Sequence, residues 1–403
     1  MSAARLDSLL EAVIDDPTNL EKNFTLLEEQ TRTGDLLGAS ASLERILILD
    51  PDSKLARVLL SEVQFNLGNL TSAKFTLTEL QNDNSTPAEM LVRVNTILDA
   101  ITRAESQWRY SAAFSFNRGS AKNPRGASSS QTILLSDIEI TNDASDDSEA
   151  FYDTMVMGKV SYALPSQSPR ALEATAVAYH RDYLFYDPGD LTSLQLSMEY
   201  HQRFEPPIIV GTKISNVVVN EETYSTSTSG YGQISTSVVP KMNLTAFAET
   251  SHSNNFDTLA RGSARDYNGF TNTVTVSASS EIFDQPVQLS GSYSRADPEA
   301  EVYQNTSRSM SFSTSTTFTR AIIGLSAIRE WVHYRIADSL VSATKREDVS
   351  STGALNLTVP LRQGESTSAS LTAKASYSSV ESSLSNYDKD SAEFHIGVTV
   401  NTY

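Results

Sequence analysis

The sequence predicts an α + β multidomain protein in which an N-terminal helical solenoid, residues 1–107, precedes an antiparallel β-barrel of about 14 strands, residues 108–403. Three observations support this prediction. A repeat runs through the first part, apolar and polar residues alternate along many segments of the second part, and short and long connections alternate between those segments. A chain of 403 residues is also long enough for two domains.

The helical part contains a repeat with a period of 34 residues. Three residue types recur at this spacing: Pro17 with Pro51, Gly34 with Gly68, and Ala39 with Ala73. A third unit opens at Pro87. This period is typical of tetratricopeptide helix–turn–helix units, in which glycine permits the tight turn and a small alanine lets the helices approach. We therefore predict a tetratricopeptide-like α-solenoid, with a plain helical bundle as the alternative. Such solenoids usually offer a concave groove to a partner.

From Trp108 onward, apolar residues alternate with polar ones. This period of two indicates strands with one apolar and one polar face. The clearest segments are Leu194–Tyr200, Val287–Tyr293, Leu355–Val359 and Phe394–Val400. The alternation fits either a soluble β-rich domain or a barrel that spans a membrane.

Segment length and parity favour the membrane-spanning barrel. The segments are about ten residues long, as a tilted spanning strand requires. An even number of strands returns the chain to the end of the barrel at which it entered. Counting Ile133–Leu135 as a spanning strand would break this parity, so we expect residues 118–149 to form one long external loop between strands at 108–117 and 150–164. A sheet in lipid must close because unpaired backbone groups there cost several kcal/mol each.

Composition excludes several classes of protein. The net charge of −18 argues against a nucleic-acid-binding protein, because such proteins need a basic surface. The chain has no cysteine, which excludes disulfides and zinc–thiolate sites and is compatible with an oxidising envelope compartment. No stretch approaches 18 consecutive apolar residues, and the start at Met1 lacks a signal-peptide core, so we expect that a signal peptide has been removed.

No sequence pattern indicates catalysis. The five histidines are scattered, and no hydrolase, phosphate-binding or dinucleotide-binding motif is present. We therefore predict no enzyme, and no catalytic, cofactor-binding or metal site. Charged residues on the inferred polar faces could tune the selectivity of a pore: Lys159, Lys374, Glu173 and Glu199. The acidic cluster Asp143–Glu149 is either a solvated loop or a cation site.

Aromatic residues near the strand ends would suit the girdles of a membrane barrel. They are Trp108, Tyr110, Tyr162, Tyr200, Trp331, Tyr334 and Tyr377. The chain ends in Tyr403, and a terminal aromatic residue resembles the assembly signal of outer-membrane proteins. We therefore expect outer-membrane lipid and the barrel assembly machinery to be partners.

Helical repeats that run directly into a barrel through Trp108–Phe116 resemble the surface lipoprotein assembly modifier family. In the segment that follows, Asn123-Pro124 is similar to part of an Asp-Ser-Asn element found after the first strand in that family. The resemblance implies a fourteen-stranded barrel in the outer membrane of a Gram-negative bacterium and a periplasmic repeat domain. It also implies help with the export or surface display of a client protein, either a lipoprotein or a soluble secreted protein. The alternatives are an exopolysaccharide-export porin with periplasmic repeats and a passive porin.

Overall fold

The computed structural model describes residues 2–402 except 125, 143–146, 165–168, 186–188, 204–205, 240, 259–261, 284 and 365. The chain divides into two compact units, Met1–Ser106 and Gln107–Tyr403. The first contains six α-helices in its described part, and the second contains the strands. None of the described helices is both long and apolar enough to cross a membrane.

The helical unit consists of helices that each pack against the next one along the chain. They are α1 (Ser2–Asp15), α2 (Leu20–Thr33), α3 (Leu36–Leu49), α4 (Lys54–Asn66), α5 (Leu70–Asn82) and α6 (Ala88–Glu105). The 34-residue period of the sequence corresponds to the pairs α2–α3 and α4–α5. Gly34 and Gly68 take left-handed φ angles of 78° and 82° after the first helix of each pair. This conformation strains residues that have a Cβ, which explains the glycines.

The helix starts follow the same period. The Asn19 side chain accepts a hydrogen bond from the amide of Lys22 at 3.1 Å, and Ser53, 34 positions later, accepts one from Ala56 at 3.4 Å. Ala39 and Ala73 are fully buried, as the close approach of the helices requires. Two clusters form the core: Leu27, Ala39, Leu43, Ile46, Ala56 and Val63 in one, and Val58, Ala73, Leu77, Leu80, Val94, Ile97 and Ile101 in the other.

The second unit is a closed antiparallel barrel of fourteen strands in the described part of the chain, which confirms the predicted fold class and strand number. The strands follow one another around the wall, and the first barrel strand pairs with the last on one side and with the second on the other. The barrel strands are β1 (Trp108–Lys122), β4 (Ser148–Ala163), β5 (Arg170–Tyr183), β6 (Leu191–Gln202), β7 (Ile208–Val219), β8 (Glu222–Val239), β9 (Met242–Asn255), β10 (Gly269–Ile282), β11 (Gln285–Pro298), β12 (Asn305–Phe318), β13 (Ala321–Tyr334), β14 (Glu347–Gln363), β15 (Thr367–Ser382) and β16 (Lys389–Thr402).

The segment around Ile133 stays out of the barrel wall, as parity predicts. It forms a separate hairpin of β2 (Thr132–Leu135) and β3 (Ile138–Thr141). Ser136 and Asp137 make its turn with φ angles of 49° and 64°. The positive φ at both turn residues matches the twist of a tight two-residue hairpin.

The predicted ends of the first two barrel strands are wrong. β1 continues to Lys122 and β4 begins at Ser148, so the connection covers residues 123–147 rather than 118–149. Apolar alternation fades after Phe116, but the backbone ladder does not, since Lys122 still pairs with Ser148. The strands therefore rise beyond the apolar belt, and the ladder pairs their polar ends.

The connections differ at the two ends of the barrel. The short turns lie at the end where β1 starts and β16 stops, which we call the turn end. The other end, which we call the loop end, carries the connections 123–147, 184–190, 256–268, 299–304, 335–346 and 383–388, together with one tight turn at 220–221. Short 3₁₀ helices lie in three of these loops: Ala264–Tyr267, Glu301–Tyr303 and Ser385–Tyr387.

Candidate functional site

The barrel wall has an apolar outer face and a polar inner face. On β11, Leu289 and Tyr293 point outward with about half of their surfaces exposed (55% and 46%), while Ser290 and Ser292 point inward. The register preserves this division around the wall, because the partner of an outward residue is also outward: Leu289 lies opposite Ala278 and Phe312. A soluble sandwich would bury its apolar face, whereas here the apolar face is the exposed one.

One side of the inner wall is lined by hydroxyl groups. Most inward residues of β10, β11 and β12 are serine or threonine. Their side chains hydrogen-bond across strands, with oxygen–oxygen distances of 3.0 Å for Thr273–Ser294, 3.1 Å for Thr275–Ser292 and 2.9 Å for Ser277–Ser290. These groups are neutral and remain half-buried, so this part of the wall can hydrogen-bond to water or to a polar solute.

Towards the turn end the lumen contains a cavity of about 550 Å³. Its lining includes inward residues from β9 to β14: Asn243, Ser279, Gln288, Ser313, Ser326 and Asn356. Barrels of eight strands are filled by their own side chains, whereas those of 16 strands enclose water. A fourteen-stranded barrel with this lining therefore encloses an aqueous lumen rather than a dry core.

The opposite side of the wall carries a network of charges from β4 to β9, which we call the midwall network. Glu173, with a side chain only 4% exposed, forms ion pairs with Lys159 and with Arg203, the latter at 3.0 Å. His201 Nε2 lies 2.6 Å from a carboxylate oxygen of Glu199. The neighbouring pair Lys213–Glu249 is 3.0 Å apart. The network thus places Lys159, Glu173 and Glu199 on the inner face, as the alternation predicts.

Glu173, Glu199 and His201 also meet the geometric requirements of a metal site, since one ligand atom from each lies within 4.8 Å of the others. The sequence alone did not indicate this group, because Glu199 precedes His201 by two positions and Glu173 comes from the neighbouring strand. Residues two apart on a strand share a face. Glu173 already has two cationic partners, and the Tyr231 hydroxyl donates to Glu199 at 2.5 Å. The carboxylates are thus compensated by protein groups, and the absence of a metal site stays a prediction.

A second network, which we call the seam network, joins the first and last strands of the barrel. The Arg181 guanidinium on β5 bridges Asp153 on β4 at 3.2 Å and Glu393 on β16 at 3.0 Å. Its carbon lies 3.9 Å from the ring centre of Phe151, which is fully buried. Asn117 on β1 donates to Asp153 at 2.6 Å. No local pattern predicts this network, because Arg181 and Glu393 are 212 residues apart in the sequence.

At the loop end lie two groups of aromatic contacts, one between Tyr267 and Tyr303 and one that joins Tyr334, Tyr387 and Arg346, and together we call them the tyrosine cap. The rings of Tyr267 and Tyr303 stack with their centres 4.1 Å apart. The Arg346 guanidinium carbon lies 3.4 Å from the ring centre of Tyr387 and 4.5 Å from that of Tyr334, and Arg346 also pairs with Asp348 at 2.6 Å.

The tyrosine cap reaches across the mouth of the barrel. Tyr267 precedes β10 and Tyr387 precedes β16, so six strand spacings, about 29 Å of wall, separate their loops. Nevertheless burial raises the pKa of Tyr387, and Asp338 and Tyr267 lie near enough to raise it further. The hydrogen bond with Tyr267 and then burial raise the pKa of Tyr303. These loops therefore lean over the lumen and narrow its opening.

The β2–β3 hairpin docks onto the same loops. Its turn pairs with the β13–β14 loop, since the amides of Ser136 and Asp137 donate to the carbonyls of Leu340 and Val341 at 2.9 and 3.0 Å. The Asp137 carboxylate accepts hydrogen bonds from the Ser342 hydroxyl and the Ala343 amide, and these bonds lower the pKa of Asp137. Asn386 of the β15–β16 loop exchanges hydrogen bonds with the backbone of Leu134. The predicted external loop is thus an ordered part of the closure where it is described.

The helical unit has its own candidate site, a groove of about 530 Å³. Its floor is apolar, with Leu55 47% exposed, and its edge carries the ion pair between Arg93 and Glu62. The lining residues come from α2, α3, α4 and α6: Phe24, Leu27, Glu28, Thr31, Arg32, Leu36, Leu43, Leu55, Leu59, Glu62, Val63, Asn66 and Arg93. The dimensions and lining could accommodate an apolar side chain of a peptide.

Most of the sequence-predicted residues lie where the alternation places them. Lys374 faces inward from β15, between Asn356 and His395. The aromatic residues predicted for the girdles face outward except Tyr334, which is a correction: it points inward and packs on Arg346. The sequence could not show this because Tyr334 is the last residue of its strand, where alternation no longer constrains the side. Tyr403 and residues 143–146 of the acidic cluster lie outside the described residues.

No family model matches the chain, and no curated protein matches it. Membership of the surface lipoprotein assembly modifier family is therefore not shown, and the fold supports a coarser statement: a closed fourteen-stranded antiparallel barrel preceded by a helical N-terminal part.

Among solved structures, the barrel is similar to OccAB3 of Acinetobacter baumannii, with 6% identity, 72% of this chain and 99% of that chain covered, and a TM-score of 0.39. It is also similar to the anion-selective porin of Comamonas acidovorans, with 8% identity, coverage of 74% and 100%, and a TM-score of 0.39. A further 26% of the chain is similar to the type III secretion translocator chaperone SycD of Yersinia enterocolitica, with 18% identity, 74% of that chain covered and a TM-score of 0.23. At these identities the similarity concerns architecture alone.

Proposed function

We propose that this chain is an integral outer-membrane protein of a Gram-negative bacterium and that its barrel forms a polar, loop-capped passage for small solutes. The observation that carries the proposal is the segregation of polarity across the wall. Outward residues such as Leu289 and Met310 are apolar and exposed, while inward residues such as Ser290 are polar and half-buried. Only lipid on the outside and water on the inside satisfies both faces.

The two ends of the barrel support an orientation. Outer-membrane barrels have short periplasmic turns and longer extracellular loops. On this rule the tyrosine cap faces the exterior and the turn end faces the periplasm. β1 begins at Trp108 at the turn end, and the helical unit precedes β1 in the chain. On the same rule the helical unit would lie in the periplasm.

The lining favours neutral or zwitterionic polar solutes over strongly charged ones. The hydroxyl-lined side offers hydrogen bonds without charge, and the midwall network pairs its cations with carboxylates. Pore-lining charges set selectivity only to the extent that they are uncompensated. The proposed role is passive and non-enzymatic.

Electrical recording from the purified full chain in planar bilayers tests this proposal. We expect stepwise insertion events whose conductance rises with salt concentration. The permeabilities for K⁺ and Cl⁻ should differ by less than about tenfold, because a tenfold ratio requires a free-energy difference of about 1.4 kcal/mol between the two ions, which only uncompensated charge would supply. Heat-denatured protein is the control and should give no steps. If folded protein inserts into the bilayer but conducts no current, whether the tyrosine cap is intact or disrupted, the proposed passage is wrong.

A second candidate function is suggested by the groove of the helical unit, which could hold a peptide of a client protein during export or surface display. In that case the Leu55→Glu variant should lose surface display of the client, because the acid would sit on the apolar floor. Leu37→Glu is the matched control, since Leu37 is 74% exposed and lies outside the groove. If comparison of surface proteins and extracellular polysaccharide shows that deletion of the gene removes only a polymer, protein export is wrong.

A further inference from the structure

The outer face of the barrel carries a group of basic and aromatic residues near the loop end, on β11, β12 and β13. We call it the basic–aromatic patch, and it consists of Tyr293, Arg295, Arg308, Arg329, Trp331 and His333. These residues share the outer face with apolar side chains of the belt, such as Met310 and Leu325. A patch of positive charge on the outer wall is unexpected in a chain whose net charge is −18.

The strand register brings the patch together. Arg308 lies directly opposite Tyr293 on one neighbouring strand and Trp331 on the other. Arg329 is two residues from Trp331 and faces Met310, one step further from the loop end. Diagonal neighbours on the same face of a sheet have Cα atoms about 7–8 Å apart, so the guanidinium groups of Arg308 and Arg329 can converge on one ligand. Arg295 and His333 occupy the next step towards the loops, on either side of Thr306.

The two central arginines lack the carboxylate partners that several other arginines of the barrel have. Arg295 is paired with Asp297 at 2.8 Å, and the inward Arg181 and Arg346 have carboxylate partners. Among the described residues, neither Arg308 nor Arg329 forms an ion pair, and the guanidinium carbon of Arg329 lies 5.8 Å from the ring centre of Trp331. Their charge is therefore available to an external anion.

Energetics restrict where these arginines can lie. An arginine on the lipid face of a barrel costs about 2–4 kcal/mol at the bilayer midplane and about 0–1 kcal/mol near the interface. Arg308 is three residues from the start of β12 and Arg329 five residues from the end of β13, both near the loop end. Tryptophan and tyrosine also favour the headgroup level. The patch thus lies at the height of the lipid headgroups, where phosphates are the abundant anions.

We propose that the basic–aromatic patch binds the phosphate groups of an anionic lipid in the leaflet at the loop end, which is the outer leaflet in the orientation given above. The proposal rests on the membrane placement in the proposed function. Guanidinium groups bind phosphate oxygens bidentately, which a pair of arginines can do from two sides. Tyr293 and Trp331 would flank the headgroup, and Met310 and Leu325 would contact the acyl chains.

The test uses Trp331 as its reporter. The chain has only two tryptophans, so Trp108→Phe leaves Trp331 as the single tryptophan, inside the patch. This full-length protein is titrated in detergent with lipid A, which carries phosphates, and separately with dephosphorylated lipid A, phosphatidylcholine and inorganic phosphate. We expect lipid A to change the emission of Trp331 saturably and the other three to bind at least tenfold more weakly.

The double variant Arg308→Gln/Arg329→Gln should bind lipid A at least tenfold more weakly. Its matched control is Arg320→Gln/Arg362→Gln, which removes the same charge from exposed positions at the turn end. Native mass spectrometry of the complexes checks both variants without relying on Trp331. Equal lipid A binding by the double variant and the control, or equal binding of dephosphorylated lipid A, would overturn the proposal. Inorganic phosphate binding as tightly as lipid A would indicate a phosphate site rather than a lipid site.

These outcomes are separable from failure of the proposed function. Protein that inserts and conducts but does not discriminate between the lipids refutes the patch alone. Protein that neither inserts into bilayers nor remains folded in detergent refutes the membrane placement itself. A folded barrel is checked for every variant by its faster migration in unheated gel samples.

Discussion

Replacing Gly397 with valine is expected to prevent the barrel from closing. Gly397 lies on the inner face of β16, directly opposite Asn117 of β1. A Cβ at this position would stand 2.2 Å from the Phe116 carbonyl oxygen and 2.0 Å from the Asn117 side-chain oxygen. The Asn117 side chain can move, but the backbone oxygen belongs to the ladder that joins the first and last strands. Overpacking typically costs about 1–3 kcal/mol, and a backbone contact places this change at about 3 kcal/mol or above.

The measurement is the fraction of protein that migrates as a folded barrel in an unheated gel after refolding into detergent. Gly353→Val is the matched control, because Gly353 faces outward from β14 and a Cβ there meets nothing within 4 Å. We expect the control to fold like the unaltered chain, while Gly397→Val loses most of the folded band. Equal folding of the two variants would mean that the β1–β16 seam is not as close as the structure has it.

Arg346→Ala is expected to open the tyrosine cap and raise conductance. Arg346 lies between the rings of Tyr334 and Tyr387 and pairs with Asp348. Its removal loosens the loop of residues 383–388, which among the described residues stays joined to the β13–β14 loop by the hydrogen bond from the Ser383 hydroxyl to the Lys345 carbonyl. Each cation–π contact contributes about 0.5–2 kcal/mol. A loss of about 1.4 kcal/mol raises the population of open loops about tenfold, since the closed state is favoured by contacts of this size.

The matched control for this prediction is Lys345→Ala, which removes one positive charge from the adjacent, exposed position. Single-channel recording should show a longer-lived or larger open level for Arg346→Ala and little change for Lys345→Ala. If both variants shift conductance equally, loss of charge rather than loss of packing is responsible. If neither does, the cap does not limit the passage.

Period-two alternation predicted the barrel only together with segment length, connection lengths and parity; the alternation itself arises because a wall between lipid and water imposes opposite polarity on adjacent residues. Leu289 and Ser290 show this directly. The same constraint, combined with parity, correctly removed Ile133–Leu135 from the wall. In the helical unit, the turns at Gly34 and Gly68 could be predicted because few residues other than glycine adopt the left-handed conformation that these turns require.

The candidate sites were far less predictable. Alternation places Lys159, Glu173 and Glu199 on the inner face, but it does not show which of them pair. The seam network depends on strand closure, which brings Arg181 next to Glu393 from the far end of the chain. The tyrosine cap depends on loop conformations that carry no periodic signal.

The two outward arginines were also missed, although a signal existed. Arg308 and Arg329 occupy positions at which the alternation calls for apolar residues, and such exceptions are expected at functional sites. They became interpretable only when the register showed them to be neighbours on the same face.

Cysteine labelling in lipid vesicles tests the central claim, that one face of the wall meets lipid and the other meets water, most directly. The chain has no cysteine, so Leu289→Cys and Ser290→Cys each introduce a single thiol on opposite faces of β11. A water-soluble maleimide should modify Ser290→Cys readily and Leu289→Cys hardly at all, with both reacting fully after unfolding. Equal reactivity of the two folded proteins, or faster modification of Leu289→Cys, would contradict a water-filled barrel embedded in a membrane.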